Sequence, residues 1–528
     1  MKSWVKRNLA LILALIIICS VCLLFCSRKE GMFIDEVYSY GLANSYYAPY
    51  VTDIKGGDMT DKIFTRAELT DYLAVTGEDA FAAGSVYYNQ TRDVHPPLYY
   101  WLLNFVSSLC AGHFSMWIGL GLNLIIYVLT LVTLYKLTEL LFSSRLCAVS
   151  AVLIYGLSTI GLSTMLMIRM YMLLTLFTVL LAYLIARLDK TGDKKLYLPL
   201  ALTVFAGLMT QYYFVFYAFF ICGFYVISLA ARREWRAALK FSVAALLGVA
   251  GLIAAFPACF DQLFADALVS GGNAVENLIS VSQYAARITT FISDTAHRMK
   301  AAIYLALLFA ALDLVFIKKL LAAREEKGKH LIPLAVIIPA FAAFIVIAVI
   351  SPVVEIRYIY NIAPMFVLAV CALLRMAERA FPAFTEKRGV KAAAGAIIAA
   401  LCLWQARGVA PDYLYDEYSD YDALLREHAD APCVYIDDNY FSPITYDMLQ
   451  LMIFDDFLVT NDTESEALRE YTLGAAETVV FIDISKQWAS GYDAEEILSA
   501  LEESMGFSAA EALYSNGFSA VYLLKMGG

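Results

Sequence analysis

Apolar runs separated by short polar stretches fill the first 410 residues of this 528-residue chain. About 17–25 consecutive apolar residues let an α-helix cross a bilayer. The first run, NLALILALIIICSVCLLFC (8–26), follows Lys2, Lys6 and Arg7. A signal peptide opens the same way. This run, however, is long enough to span, and CSRKEGMF offers no small-residue cleavage site, so an uncleaved first span is expected. Further spans are expected at 115–141, 145–163, 167–187, 195–210, 211–231, 240–258, 300–320, 331–350, 357–377 and 390–408. The run 97–111 is too short to cross comfortably and reads as a juxtamembrane or half-inserted helix. The pattern therefore predicts a polytopic α-helical membrane protein with about 11 transmembrane helices.

After residue 410 the rhythm changes. CVYID, TVVFID and AVYLL read as strands and alternate with helical stretches such as DAEEILSALEESMGF. A small C-terminal α/β domain over 411–528 is expected behind a membrane module over 1–410.

Charge gives the layout a direction. With the N-terminus in the cytoplasm, the inner loops are RLDKTGDKK, ARREWRAALK, KKLLAAREEKGKH and RMAERAFPAFTEKRGVK, all rich in Lys and Arg. The short loops on the other side hold little more than Arg169 and Arg357. Eleven spans satisfy the positive-inside rule, whereas counting 97–111 as a crossing would invert every later loop. Loops 27–96 and 259–299 and the tail from Pro411 then face outside the cell membrane.

Composition agrees: 61% hydrophobic residues, 17% charged and a mean hydropathy of +0.65 exclude a soluble globular chain. Residues 411–528 hold 24 acidic and 4 basic side chains. Such a domain does not seek nucleic acid or anionic headgroups. A solvated surface and the binding of a cationic partner or metal both remain open for it. Seven of the ten cysteines (19, 22, 110, 147, 222, 371 and 402) lie in apolar runs, where a thiol is a small hydrophobe, and no spacing suggests a zinc site.

Four features could carry chemistry. The first outer loop opens GMFIDEVYSYGLANSYY, where the adjacent carboxylates Asp35 and Glu36 project in different directions. One can face a site while the other is paired; an ordinary interfacial acidic pair reads the same. Next comes DVHPPLYYWLL. Pro96 and Pro97 set a loop-to-helix corner, because proline tolerates the first helical turn. Asp93 and His95 sit just before it, at the helix end that favours anions, and Tyr99, Tyr100 and Trp101 suit the interface. The third feature is RMYMLL, with Arg169 and Tyr171. The fourth is EIRYIYNIAP, with Glu355, Arg357 and Tyr358. Charged residues at span ends are often snorkelling anchors. Outer arginines nevertheless oppose the topological bias, and all four features fall on one face. Together they suit an anionic substrate held in the membrane. Gln211, Tyr212 and Tyr213, like Asp294 and His297, are weaker candidates.

The carboxylate pair after span one, then HPPLYYWLL, RMYMLL and RYIYNIAP, resemble the GT-C membrane glycosyltransferases over roughly residues 1–410. The nearest kin implied are the protein O-mannosyltransferases and lipid A aminoarabinose transferases. The resemblance implies transfer of a sugar from a polyprenyl-phosphate donor to an acceptor on the outer face, whether protein, lipid or wall polymer. By resemblance Asp35 matches the catalytic acid of the family's first loop, with Glu36 as neighbour and substitute. Arg169, Arg357 and His95 are candidates for the lipid-linked phosphate, with Tyr99, Tyr171 and Tyr358 beside them, since guanidinium forks match phosphate oxygens. Asp93 would orient His95, or bind a metal or a sugar hydroxyl. Some relatives use a divalent metal and others do not; Asp93 and His297 are too sparse a ligand set to assign one. A transporter or flippase for a lipid-linked anion could use the same arginines, but it predicts polar residues at mid-membrane depth and an internal repeat. Asp313 is the main residue of that kind, and no repeat is evident.

Overall fold

The computed structural model describes residues 2–265, 277–315, 333–380, 387–437, 443–485 and 492–526. In chain order its main helices are α1 (Lys2–Cys26), α2 (Ile34–Asn44), α3 (Arg66–Leu73), α4 (Ala83–Thr91), α5 (Leu98–Ser108) and α6 (Met116–Phe142). There follow α7 (Arg145–Gly156), α8 (Thr159–Leu166), α9 (Tyr171–Thr191), α10 (Tyr197–Leu208), α11 (Phe214–Ala231) and α12 (Trp235–Ala255). Then come α13 (Tyr284–Arg298), α14 (Lys300–Val315), α15 (Leu334–Ile350), α16 (Ala363–Ala380) and α17 (Arg388–Gly408). The chain separates into two compact units, one of Met1–Ser27, Val94–Tyr99 and Leu120–Asp412, the other of Arg28–Asp93, Tyr100–Gly119 and Tyr413–Gly528.

The first unit is helical. Phe219, Ile227, Leu246 and Leu307 stand exposed on its helices, as lipid-facing side chains do. Among the described residues seven helices are long and apolar enough to cross a membrane: Asn8–Cys26, Met116–Phe142, Tyr171–Thr191, Phe214–Ala231, Trp235–Ala255, Ile356–Ala380 and Arg388–Gly408. The protein is a multi-pass membrane protein.

The other expected spans are shorter or broken. The run 145–163 becomes α7 and α8, bent by 59°. The cause is local: Ser158 caps α8 by accepting from the Gly161 N–H at 3.0 Å, which starts a new helix. Gly161 is needed there, because a Cβ would fall 2.3 Å from the Tyr155 carbonyl. The run 195–210 yields only the 12-residue α10, and α15 has 17 residues. The loop KKLLAAREEKGKH (318–330), used above to orient the chain, lies outside the described residues, as do 266–276 of the second outer loop and 381–386.

Cations in this unit are held by helix ends and carboxylates. Arg287 donates to the Ala348 carbonyl at 3.1 Å and to Ser351 Oγ at 3.0 Å, answering the carbonyls that α15 leaves unpaired at its C-terminus. Arg298 grips Asp412 with two bonds of 2.9 and 3.0 Å.

The second unit is built on a six-stranded sheet in the order β1-β3-β2-β4-β6-β5. The strands are β1 (Lys62–Thr65), β2 (Cys433–Ile436), β3 (Asp456–Thr460), β4 (Glu477–Asp483), β5 (Phe507–Ser515) and β6 (Ser519–Met526). β2 runs parallel to β3 and β4, and the remaining pairs are antiparallel. Five strands belong to the tail, but β1 belongs to the first loop, so the sheet does not stop at the boundary expected near residue 411. Phe64 stacks on Phe457 with centroids 5.6 Å apart, and Arg66 donates to the Ile453 carbonyl at 2.6 Å. α3 then starts with a capping box, Thr65 accepting from the Glu68 N–H while Glu68 accepts from the Thr65 N–H at 2.9 Å. α2 packs on α3 so closely that a Cβ at Gly41 would meet the Tyr72 ring at 2.1 Å.

Candidate active site

In the second unit, Asp35 and Glu36 sit in the first turn of α2, where a helix favours negative charge. Their surroundings differ. Glu36 is fully buried, bonded to Lys29 Nζ at 3.0 Å and to the Phe33 N–H at 2.7 Å. Lys29, also buried, donates onward to the Tyr413 carbonyl at 2.6 Å. Glu36 thus ties the start of the first loop to the start of the tail. Asp35 is only half-buried, one position earlier on the helix. Its carboxylate acts on the phenols of Tyr38 and Tyr415. Asp93, half-buried in the loop after α4, acts on the Tyr38 phenol as well. Both carboxylates add to the effect of burial in raising the Tyr38 phenol above its ordinary value.

His95, Tyr99, Arg169, Tyr171, Arg357 and Tyr358 belong to the first unit. Pro96 and Pro97 precede α5, whose first N–H, on Leu98, donates to the Met209 carbonyl at 3.0 Å. The corner is thus fixed at both its prolines and its first donor. Arg169 occupies the break between α8 and α9 and is 4% exposed. Its Nη2 lies 3.4 Å from His95 Nδ1. The fully buried Tyr99 donates to Asn123 at 3.1 Å, and Asn123 in turn donates to the Met165 and Met167 carbonyls beside Arg169. A side-chain network therefore supports the backbone that carries the guanidinium.

Arg357 and Tyr358 lie on the 3-10 turn Ile356–Ile362. Arg357 pairs with Glu355 at 2.8 Å and lies over the Tyr358 ring, which stacks on Tyr213. The Tyr171 ring meets Tyr360 edge-on at 6.1 Å. His297 is exposed on α13, and Asp294 stands 3.9 Å from Arg298. Among the described residues no three His, Cys, Asp or Glu side chains are placed to hold a metal ion.

Residues 94–259 match the family model described as dolichyl-phosphate-mannose-protein mannosyltransferase. Among solved structures, ArnT from Cupriavidus metallidurans bound to undecaprenyl phosphate aligns over 98% of both chains, with 9% identity and a TM-score of 0.53. Its apo form gives 10% identity, the same coverage and the same score. The fold is that of the GT-C glycosyltransferases. The archaeal oligosaccharyltransferase AglB from Archaeoglobus fulgidus also aligns, over 98% of this chain and 74% of its own, at 13% identity and a TM-score of 0.46. Comparison with curated proteins finds no match.

Sequence reading missed Lys29, Tyr38, Asn123, Arg287, Arg298 and Asp412. Lys29 and Asp412 are ordinary charges flanking a span in the sequence, and the Tyr413 carbonyl and Arg298 that they meet lie far away in the chain. Arg287 and Arg298 carried a usable signal: both are cations on a short amphipathic segment expected outside the membrane. Tyr38 follows Asp35 by three positions, the helical spacing that shares a face.

Proposed function

We propose that the protein is a membrane glycosyltransferase that moves a sugar from a polyprenyl-phosphate carrier to an acceptor hydroxyl on the extracytoplasmic face. The observation that carries this reading is the His95–Arg169 contact, a buried guanidinium 3.4 Å from an imidazole, in the stretch that matches the mannosyltransferase family model. ArnT, whose fold this chain shares, binds undecaprenyl phosphate.

The chemistry asks for little more. The acceptor oxygen attacks the anomeric carbon as the bond from that carbon to the phosphate oxygen breaks. Asp35 takes the acceptor's proton, and polyprenyl phosphate leaves with one more negative charge than the donor carried. Arg169 meets that charge with charge-assisted hydrogen bonds that strengthen as it develops. With Arg169 donating to Nδ1, His95 keeps its ring proton on Nε2 as a further donor. Arg357 contributes a second guanidinium for the phosphate. Phosphate is a good leaving group, so one base suffices, and a single displacement inverts the anomeric centre. Glu36, buried against Lys29, serves the architecture rather than the reaction.

The test is reconstitution in lipid nanodiscs with synthetic undecaprenyl-phosphate sugars, scored by release of undecaprenyl phosphate and by the sugar product. Asp35→Asn is expected to lose roughly 10²–10⁴-fold in turnover. Full activity in that variant removes Asp35 as the base. Movement of the lipid without a covalent product replaces the enzyme reading with a carrier.

A further inference from the structure

One side chain is bonded to both halves of the His95–Arg169 contact. Asn123 lies near the start of α6 and is fully buried, as are Tyr99, Met165 and Met167. Its Nδ2 donates to the Met165 carbonyl at 3.1 Å and to the Met167 carbonyl at 2.7 Å. α8 ends between those two residues, at Leu166, and Met167 turns to extended backbone with φ −73° and ψ 111°. The Met167 carbonyl also accepts from the Arg169 N–H at 2.7 Å. On the other side of the amide, Oδ1 accepts from the Tyr99 hydroxyl at 3.1 Å. Tyr99 stands four positions after His95 and two after Pro97.

These bonds settle which way the amide faces. Its two N–H donors meet two carbonyls and its oxygen meets a hydroxyl, whereas a flipped amide would set oxygen against both carbonyls. A buried amide is costly inside an apolar helix unless its bonds are made. Leucine has nearly the same shape and would fill the place without that cost. What leucine lacks is a link between the turn that carries Arg169 and the corner that carries His95.

We propose that Asn123 is a positioning residue that aims the Arg169 guanidinium at the leaving phosphate, and that Tyr99 acts on the same phosphate at one remove, through the amide. The inference rests on the glycosyl-transfer reading and on Arg169 as the partner of the phosphate; it does not depend on which carboxylate is the base. Guanidinium and phosphate meet through a planar fork, so the bond is directional. An error of about 1 Å in such a contact costs about 10²-fold in rate. Arg169 faces charge that grows as the phosphate leaves. A misaimed fork therefore lowers kcat more than it raises the donor KM.

The experiment uses the full-length protein in lipid nanodiscs, with synthetic undecaprenyl-phosphate hexoses as donor probes and release of undecaprenyl phosphate as the readout. Asn123→Leu is expected to lower kcat about 10²-fold while the donor KM changes less than about threefold. Tyr99→Phe keeps the ring and both amide–carbonyl bonds, and a loss of about threefold to tenfold is expected. Both substitutions are repeated in the Arg169→Ala background. There each should cost less than about twofold, because a residue that acts through Arg169 has nothing left to aim. Equal losses with and without Arg169 are the signature of packing alone and overturn the inference. So does wild-type kcat in both single variants. If Asn123→Leu fails to fold, the Tyr99→Phe cycle decides by itself. The layers separate cleanly: no release of undecaprenyl phosphate by the wild type removes the glycosyl-transfer reading, and the inference with it. Wild-type turnover in Arg169→Ala removes that arginine from the phosphate. Loss in Arg169→Ala with none in Asn123→Leu and Tyr99→Phe removes only the positioning role.

Discussion

The first turn of α2 and the break before α9 both hold charge away from water, and they hold it against different partners. At α2 the buried charge is closed: the Glu36 carboxylate meets the Lys29 ammonium and a backbone N–H, and the ammonium meets a carbonyl. At the break, the Arg169 guanidinium stands beside the His95 imidazole. A closed pair joins segments of chain. In the proposed reaction the Arg169 guanidinium also meets the phosphate of an arriving anion. Inside one dipeptide the same contrast separates Glu36 from Asp35, which is half-buried and faces phenols.

The largest effect should come from opening the closed pair. Glu36→Ala or Lys29→Ala leaves an uncompensated buried charge, worth about 3–5 kcal/mol of stability, visible in thermal unfolding of the purified protein. Unchanged melting would show that Glu36 is not structural and return it to the list of bases. Next is Arg169→Ala, expected to lower turnover by roughly 10²–10³-fold, the cost of losing a donor to developing charge. Its melting temperature should fall less than that of Glu36→Ala. Arg169→Lys should recover part of the rate, because an ammonium supplies charge without the planar fork.

Smaller effects test the periphery. Arg298→Ala breaks a two-bond grip on Asp412 between partly exposed partners, and about 1 kcal/mol is expected from chemical denaturation. The smallest is a pH effect at the joint between β1 and α3. Burial raises the Glu68 carboxyl, but the Lys55 ammonium and the Thr65 N–H outweigh it and hold the group below its ordinary value. Its contribution is complete above the unfolded glutamate range and is lost as pH falls through the lower folded value. Glu68→Gln should flatten that acid loss of stability in unfolding curves taken between pH 3 and 6.

Local pattern carried much of the first unit. The runs that became α1, α6, α9, α11, α12, α16 and α17 were legible because bilayer thickness sets their length. The break at Leu157–Ser158 was not, because a cap inside an apolar run changes no hydropathy average. In the tail, β2, β4 and β6 were read from β-branched and aromatic runs. β5, FSAAEALYS, has the composition of a helix, and its place beside β6 overrides that preference. β1 is four residues long and acquires its meaning from a partner in another part of the chain. The candidate residues divide in the same way. Asp35, Asp93, His95 and Arg169 were visible as charges in unexpected places, whereas Tyr38 and Lys29 needed the structure to show what they touch.

The pairing of β1 with β3 also bears on how the protein is made. Lys62–Thr65 leaves the ribosome about 390 residues before Asp456–Thr460. At synthesis rates of about 5–20 residues per second, that is a wait of roughly 20–80 s. Through that interval the first loop lacks its sheet, and for most of it the Lys29 ammonium lacks the Tyr413 carbonyl. Maturation of the second unit is therefore a late event in biogenesis. A chain released before residue 456 would leave β1 as an unpaired edge, open to chaperones and proteases.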